Sequence, residues 1–164
     1  MFGCAKPIND ETLIDKGGLK YHPDTKELYS GKVFKNRMGG KKEFEGSYKV
    51  GKKEGLWTYY YKNGTREETT YKDGEYDGLR TSWYEDGKKI YEGTYKDGKR
   101  DGLFTYWYEN RQKKSERTYK NGELDGLYTW WYENGQKSSE HTYKDGDFIS
   151  KKCWDNDGIE KECD

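Results

Sequence analysis

The dipeptides Asn-Gly and Asp-Gly punctuate this chain at intervals too short for helices and well matched to strands. They stand at Asn63-Gly64, Asp73-Gly74, Asp86-Gly87, Asp97-Gly98, Asn121-Gly122, Asn134-Gly135, Asp145-Gly146 and Asp157-Gly158, with Asn110-Arg111 the one departure in the series. Such pairs supply the positive φ angles of a type I′ hairpin turn at little steric cost. Turns this closely spaced predict short antiparallel strands joined as a meander. The intervening residues agree: Leu103-Phe104-Thr105-Tyr106-Trp107-Tyr108 is aromatic and β-branched.

The turns belong to a longer repeat. Gly55-Leu56-Trp57-Thr58-Tyr59-Tyr60 is echoed from Gly78, Gly102 and Gly126, at intervals of 23, 24 and 24 residues. Each copy is followed by a second phrase, Thr-Tyr-Lys-Asp/Asn-Gly, beginning at Thr70, Thr94, Thr118 and Thr142. Degenerate copies precede and follow, so residues 46–158 read as one array. A single hairpin unit buries too little to be stable alone, and stacking on its neighbours must supply the rest. The expected fold is all-β: an elongated antiparallel meander of stacked hairpins, a solenoid-like, single-layer twisted sheet. Residues 46–164 form the array with a degenerate C-terminal cap, 21–45 form lead-in strands, and 1–20 form a flexible segment.

Composition shows what such a sheet must use for a core. Charged residues make up 38% of the chain, which on hydropathy alone suggests disorder, but 31 basic residues balance 31 acidic ones. Aromatic residues reach 17%, chiefly 17 Tyr and 6 Trp, so the apolar surface resides in rings rather than aliphatic side chains. Side-chain columns follow from the repeat: Leu56, Leu79, Leu103 and Leu127 hold one position, and Tyr60, Trp83, Trp107, Trp131 and Trp154 another. Period-2 alternation puts Leu103, Thr105 and Trp107 on one face, expected to be the buried seam. The other face then carries the candidate binding surface: Tyr59, Tyr61, Tyr84, Phe104, Tyr106, Tyr108, Tyr128, Trp130 and Tyr132, residue types enriched at interfaces.

The stretch Tyr91-Glu92-Gly93-Thr94-Tyr95-Lys96-Asp97-Gly98-Lys99-Arg100-Asp101-Gly102-Leu103 resembles the MORN repeat: Tyr-x-Gly, an Asn/Asp-Gly turn, and a second Gly four residues later. Trp131-Tyr132-Glu133-Asn134-Gly135-Gln136-Lys137 is closer still to the MORN variant of bacterial proteins described as YwqK-type antitoxins, and Leu28-Tyr29-Ser30-Gly31-Lys32-Val33 resembles their lead-in. Gly93 is replaced by Thr69, Arg117 and His141 in the other full repeats, a departure that bears on backbone contact at that position. The resemblance implies a rod of hairpins that binds proteins and, for some MORN proteins, lipid headgroups. A cell-wall, choline- or sugar-binding hairpin module is the alternative, since aromatic faces also hold cations and sugars.

At the other end of the chain, Phe2-Gly3-Cys4-Ala5 resembles the tail of a lipobox. Cys4 is therefore a lipidation candidate, which requires an apolar stretch encoded upstream of Met1. The expected location is a lipid-anchored cell envelope if Cys4 is acylated, and the cytoplasm otherwise. Cys153 and Cys163 flank the Asp157-Gly158 turn, either as a disulfide or as two reduced thiols. Ideal pairing about a two-residue turn would set Cys153 opposite Glu162, so a bond between them needs a slip or bulge.

No catalytic constellation stands out. His22 and His141 lack partners at catalytic spacing, no phosphate loop or nucleophile elbow occurs, and the cysteines lack zinc-site spacing. Asp155-Asn156-Asp157-Gly158 is a hairpin turn rather than a calcium loop, because Cys153 stands where the first acidic ligand belongs. The expectation is a non-enzymatic scaffold with no cofactor and no metal, a protein partner, and no nucleic acid, given the interleaved Lys and Glu.

Overall fold

The structure, a computed structural model, describes residues 6–163. Its strands are β1 (Ile8–Asn9), β2 (Ile14–Lys16), β3 (Leu19–Tyr21), β4 (Gly31–Asn36), β5 (Lys42–Lys49), β6 (Lys52–Tyr60), β7 (Arg66–Lys72), β8 (Glu75–Trp83), β9 (Lys89–Lys96), β10 (Lys99–Trp107), β11 (Lys113–Lys120), β12 (Glu123–Trp131), β13 (Lys137–Lys144), β14 (Asp147–Trp154) and β15 (Glu160–Lys161). From β4 to β15 every strand pairs antiparallel with its sequence neighbour, and β1 adds in parallel to the free edge of β4. The result is one open sheet of 13 strands, with β2 and β3 as a separate hairpin.

The turns divide into two alternating kinds rather than one. At Asp73-Gly74, Asp97-Gly98, Asn121-Gly122 and Asp145-Gly146 both residues have positive φ, as a type I′ turn requires. At Asn63-Gly64, Asp86-Gly87, Asn134-Gly135 and Asp157-Gly158 only the Gly does. There the chain makes a wider loop, with Gly64 N–H donating to Tyr61 O and Tyr61 N–H to Thr65 O. Arg111 occupies the second kind, at φ 73°, so the departure from the dipeptide pattern falls on the one left-handed position of its loop.

Both long edges are laced from one hairpin to the next. Along one, Glu54, Asp77, Asp101 and Asp125 accept hydrogen bonds from the backbone N–H of Asp73, Asp97, Asn121 and Asp145. Along the other, the Tyr108 hydroxyl donates to Trp131 O at 2.8 Å and Tyr132 to Trp154 O at 2.9 Å.

The buried seam is the reverse of the sequence expectation. Leu56, Leu79, Leu103 and Leu127 are each about half exposed (48–57%), whereas Trp57 is 0% and Phe104 1% exposed. The large rings win the interior because they meet glycine on the neighbouring strand. Gly46 lies beneath the Trp57 ring and Gly93 beneath Phe104, and no side chain fits between. Thr69 and Arg117, on the far sides of these rings, replace Gly where no ring lies flat on the backbone. The rings then cover one another edge to face: Phe104 sits 5.3 Å from Tyr95 and 5.2 Å from Tyr119 by centroid.

Much of the segment expected to be flexible is folded. Residues 8–21 form β1, a turn of 3-10 helix at Asp10–Thr12, β2 and β3. Leu13 enters the core formed by Val33, Tyr48, Trp57 and Tyr71, so this segment caps the aromatic face at the first strands.

Candidate functional site

Cross-strand partners separate the two faces of the array. On the aromatic face a middle row runs Thr69, Arg80, Gly93, Phe104, Arg117, Tyr128 and His141. Beside it runs a row containing Tyr59, Glu67, Ser82, Tyr91, Tyr106, Ser115 and Trp130. The opposite face carries the leucines, the buried threonines Thr58, Thr81, Thr105 and Thr129, and the tryptophan column.

Of the nine candidate residues, Tyr59, Phe104, Tyr106, Tyr128 and Trp130 share the aromatic face. Phe104 and Tyr128 are buried and form its floor, not its contact surface. Burial pushes the phenols of Tyr59 and Tyr128 up to about 12. Tyr61, Tyr84, Tyr108 and Tyr132 instead open the wider loops, each donating its backbone N–H across the loop. For Tyr108 and Tyr132 the hydroxyl is also spent on lacing neighbouring hairpins.

One ion pair interrupts the ring row. Arg80 stands in the column of Trp57, Phe104 and Tyr128, and its guanidinium donates to the Glu67 carboxylate at 3.0 Å. The Tyr91 hydroxyl donates to the same Glu67 oxygen at 2.6 Å. Burial, the largest single influence, works against the Arg80 charge; the Glu67 hydrogen bond, the nearby Tyr91 and Glu67 groups and a hydrogen bond to Tyr95 together outweigh it, leaving its pKa raised. Burial and the bond to Glu67 likewise raise Tyr91. The pattern of tyrosines around Arg80 gave no sequence signal, because Glu67 and Arg80 look like surface residues of a charged repeat.

The opposite face repeats a different unit. A cation sits over the ring of each column residue: Lys42 over Tyr60, Arg66 over Trp83, Lys89 over Trp107, Lys113 over Trp131 and Lys137 over Trp154, at 4.3–5.8 Å from the centroid. Each cation also pairs with a carboxylate two or three residues on, from Lys42–Glu45 at 2.7 Å to Lys137–Glu140 at 2.6 Å. The half-exposed leucines lie beside this ladder, one per repeat, with Leu79 opposite Thr94 and Leu103 opposite Thr118.

The remaining candidates scatter. Cys153 and Cys163 are joined in a disulfide with Cα atoms 5.3 Å apart. The last hairpin pairs Cys153 with Lys161, not Glu162, so the bond spans diagonal neighbours. Asp155 caps its own turn by accepting from Asp157 and Ile159 N–H. His22 Nδ1 accepts from Asp24 N–H, while His141 is held below its ordinary pKa by burial and by Lys151. Among the described residues no group of three or more His, Cys, Asp or Glu could hold a metal ion. Cys4 lies outside the described residues.

No curated protein matches the chain. A family model described as the MORN repeat variant matches it four times, at residues 53–73, 76–97, 100–121 and 124–145.

Proposed function

The chain belongs to the MORN repeat variant family, a non-enzymatic module whose repeats bind proteins or membrane lipids, and on that premise we propose that it is a protein-binding scaffold. The observation that carries this reading is the row Leu56, Leu79, Leu103 and Leu127. Four leucines, each about half exposed (48–57%), are held at one position of successive repeats on a sheet that does not need them for its core. Alternate strands of a sheet lie about 10 Å apart, so the row presents an apolar stripe of fixed pitch to a partner. An antitoxin-like role is one form of this reading, with the partner a toxin.

The ring ladder argues against choline or sugar capture on this face. The cation seats above Tyr60, Trp83, Trp107, Trp131 and Trp154 are taken by the chain's own Lys and Arg. A ligand cation would have to displace a side chain that is also ion-paired.

The test uses the full chain and a Leu79→Asp/Leu103→Asp variant, compared by crosslinking capture and by sedimentation with anionic vesicles. Exposed positions leave the fold intact, which a matched melting curve verifies. Proteins captured by the wild type and lost by the variant support the reading. Equal capture by both refutes the leucine row, and vesicle binding that the variant abolishes assigns the row to lipid instead.

A further inference from the structure

We propose that Arg100 and Arg117, on the aromatic face around Phe104, form a seat for the carboxylates of an acidic segment of a partner protein. The inference rests on the protein-binding reading and concerns the face opposite the leucine row.

The chain itself displays the chemistry. In the second repeat a guanidinium stacked on tyrosines, Arg80 over Tyr76 and Tyr91, receives one carboxylate oxygen of Glu67 together with the Tyr91 hydroxyl. Glu67 thus acts as a built-in ligand. Further along the same face the receiving parts recur without a ligand. Arg117 is held between Tyr106 and Tyr128, with 5.0 and 4.3 Å to their centroids. Its buried Nε has no hydrogen-bond partner, as in Arg80, and what sets it apart from Arg80 is the missing carboxylate. Arg100 stacks on Phe104 and Tyr119 and donates to the Tyr119 hydroxyl at 3.0 Å. Among the described residues neither arginine has a carboxylate partner, whereas Arg66 and Arg80 each have one.

Position favours a chain segment as the occupant. The N-terminal segment caps this face only at the first strands, through Leu13 against Val33, Tyr48, Trp57 and Tyr71. Beyond it Tyr91, Tyr95, Tyr106 and Trp130 stay partly exposed above the buried Phe104, Tyr119 and Tyr128. A guanidinium fixed between rings loses little freedom on binding, and its planar fork matches a carboxylate in two parallel hydrogen bonds. Two such forks flanking an apolar floor suit a segment that carries acidic residues beside an aromatic or aliphatic one.

The experiment is fluorescence anisotropy of a labelled short peptide of Glu and Asp around a Leu, titrated with the full chain at low ionic strength. Wild type and Arg66→Gln should bind alike, and Arg100→Gln/Arg117→Gln should bind at least about tenfold more weakly. Added salt should weaken the wild-type complex, as expected for partly exposed charges. In parallel, the side-chain Nε–Hε signals of Arg100 and Arg117 in the wild type should shift as peptide is added. That measurement stands even if the double variant is less stable. Equal binding by the double variant, or unmoved arginine signals, overturns the proposal. So does arginine-dependent sedimentation with anionic vesicles in the absence of peptide binding. The leucine variant should keep the peptide, so loss of the partner there and loss of the peptide here are separable failures.

Discussion

Gly93→Ala tests the inverted seam by its sign. Gly93 is buried within β9, and its φ lies outside the left-handed range, so alanine fits the backbone there. On conformational grounds alone the change should stabilise, since Gly in a strand interior is about 0.5–1 kcal/mol worse than Ala. Packing predicts the opposite. A methyl on Gly93 would fall inside 3.0 Å of three Phe104 ring carbons, against an ordinary contact of about 3.5–4.0 Å. The ring must therefore move by about an ångström or more, yet it is only 1% exposed and wedged between Tyr95 and Tyr119. Overpacking of this kind costs about 1–3 kcal/mol, so the net expectation is a loss of about 1–2 kcal/mol. The assay is urea unfolding followed by tryptophan fluorescence, with the change in midpoint read at constant slope. Phe104→Leu provides the second corner of a double-mutant cycle, and the two changes should couple favourably because the smaller side chain makes room for the methyl. A Gly93→Ala variant as stable as the wild type, or more so, would refute the claim that Phe104 rests on this backbone.

Other consequences are equally direct. Arg111→Gly should raise stability by up to about 1 kcal/mol in the same urea assay, because φ 73° strains a residue with a Cβ. Reducing Cys153–Cys163 opens a loop of sequence separation 10, worth about 3 kcal/mol by chain entropy. Hydrogen exchange should show that loss confined to β14 and β15, with β6–β10 unchanged. Raised phenol pKa values favour the neutral ring in the fold, so that stabilisation is complete below about pH 10 and is lost as pH rises through about 12 for Tyr59 and Tyr128. Absorbance at alkaline pH should therefore show a class of tyrosines that ionises only well above pH 10 or with unfolding; complete ionisation near pH 10 in the folded protein would contradict the burial described.

Turn chemistry made the array readable without coordinates. Asn and Asp before Gly at so many positions leave few backbone alternatives, and the order of strands follows from hairpin connectivity. The faces were harder to read. Period 2 separates Leu103 from Phe104 but does not say which points inward when both faces carry rings. A clue lay in Gly46 and Gly93, since a strand-interior glycine marks where something large approaches the backbone. The division of turns was also hidden, because Asn63-Gly64 and Asp73-Gly74 look alike while only the second needs two positive φ angles. Arg111 was the visible hint. As for function, Glu67 and Arg80 became a recognisable pair only when β7 and β8 brought them together. Tyr108 and Tyr132 likewise became lacing residues only once Trp131 and Trp154 lay beside them.

The strands run across the long axis of the sheet, so their backbone hydrogen bonds point along it. A pull on the two ends of the rod therefore loads those bonds in series and opens them one ladder at a time, as a zip opens, rather than shearing many at once. One edge repeats the same carboxylate-to-amide bond at four successive hairpins, whereas the hydroxyl ties of the other edge are at Tyr108 and Tyr132, so the later hairpins carry an added tie. Under tension such a rod yields by paying out hairpins one after another, those without the hydroxyl tie first. When slack returns it can close again from any pair left intact. Its disulfide-bonded final hairpin cannot itself be extended, so a pull at that end passes through the bond to Cys153 and bears directly on the β13–β14 ladder.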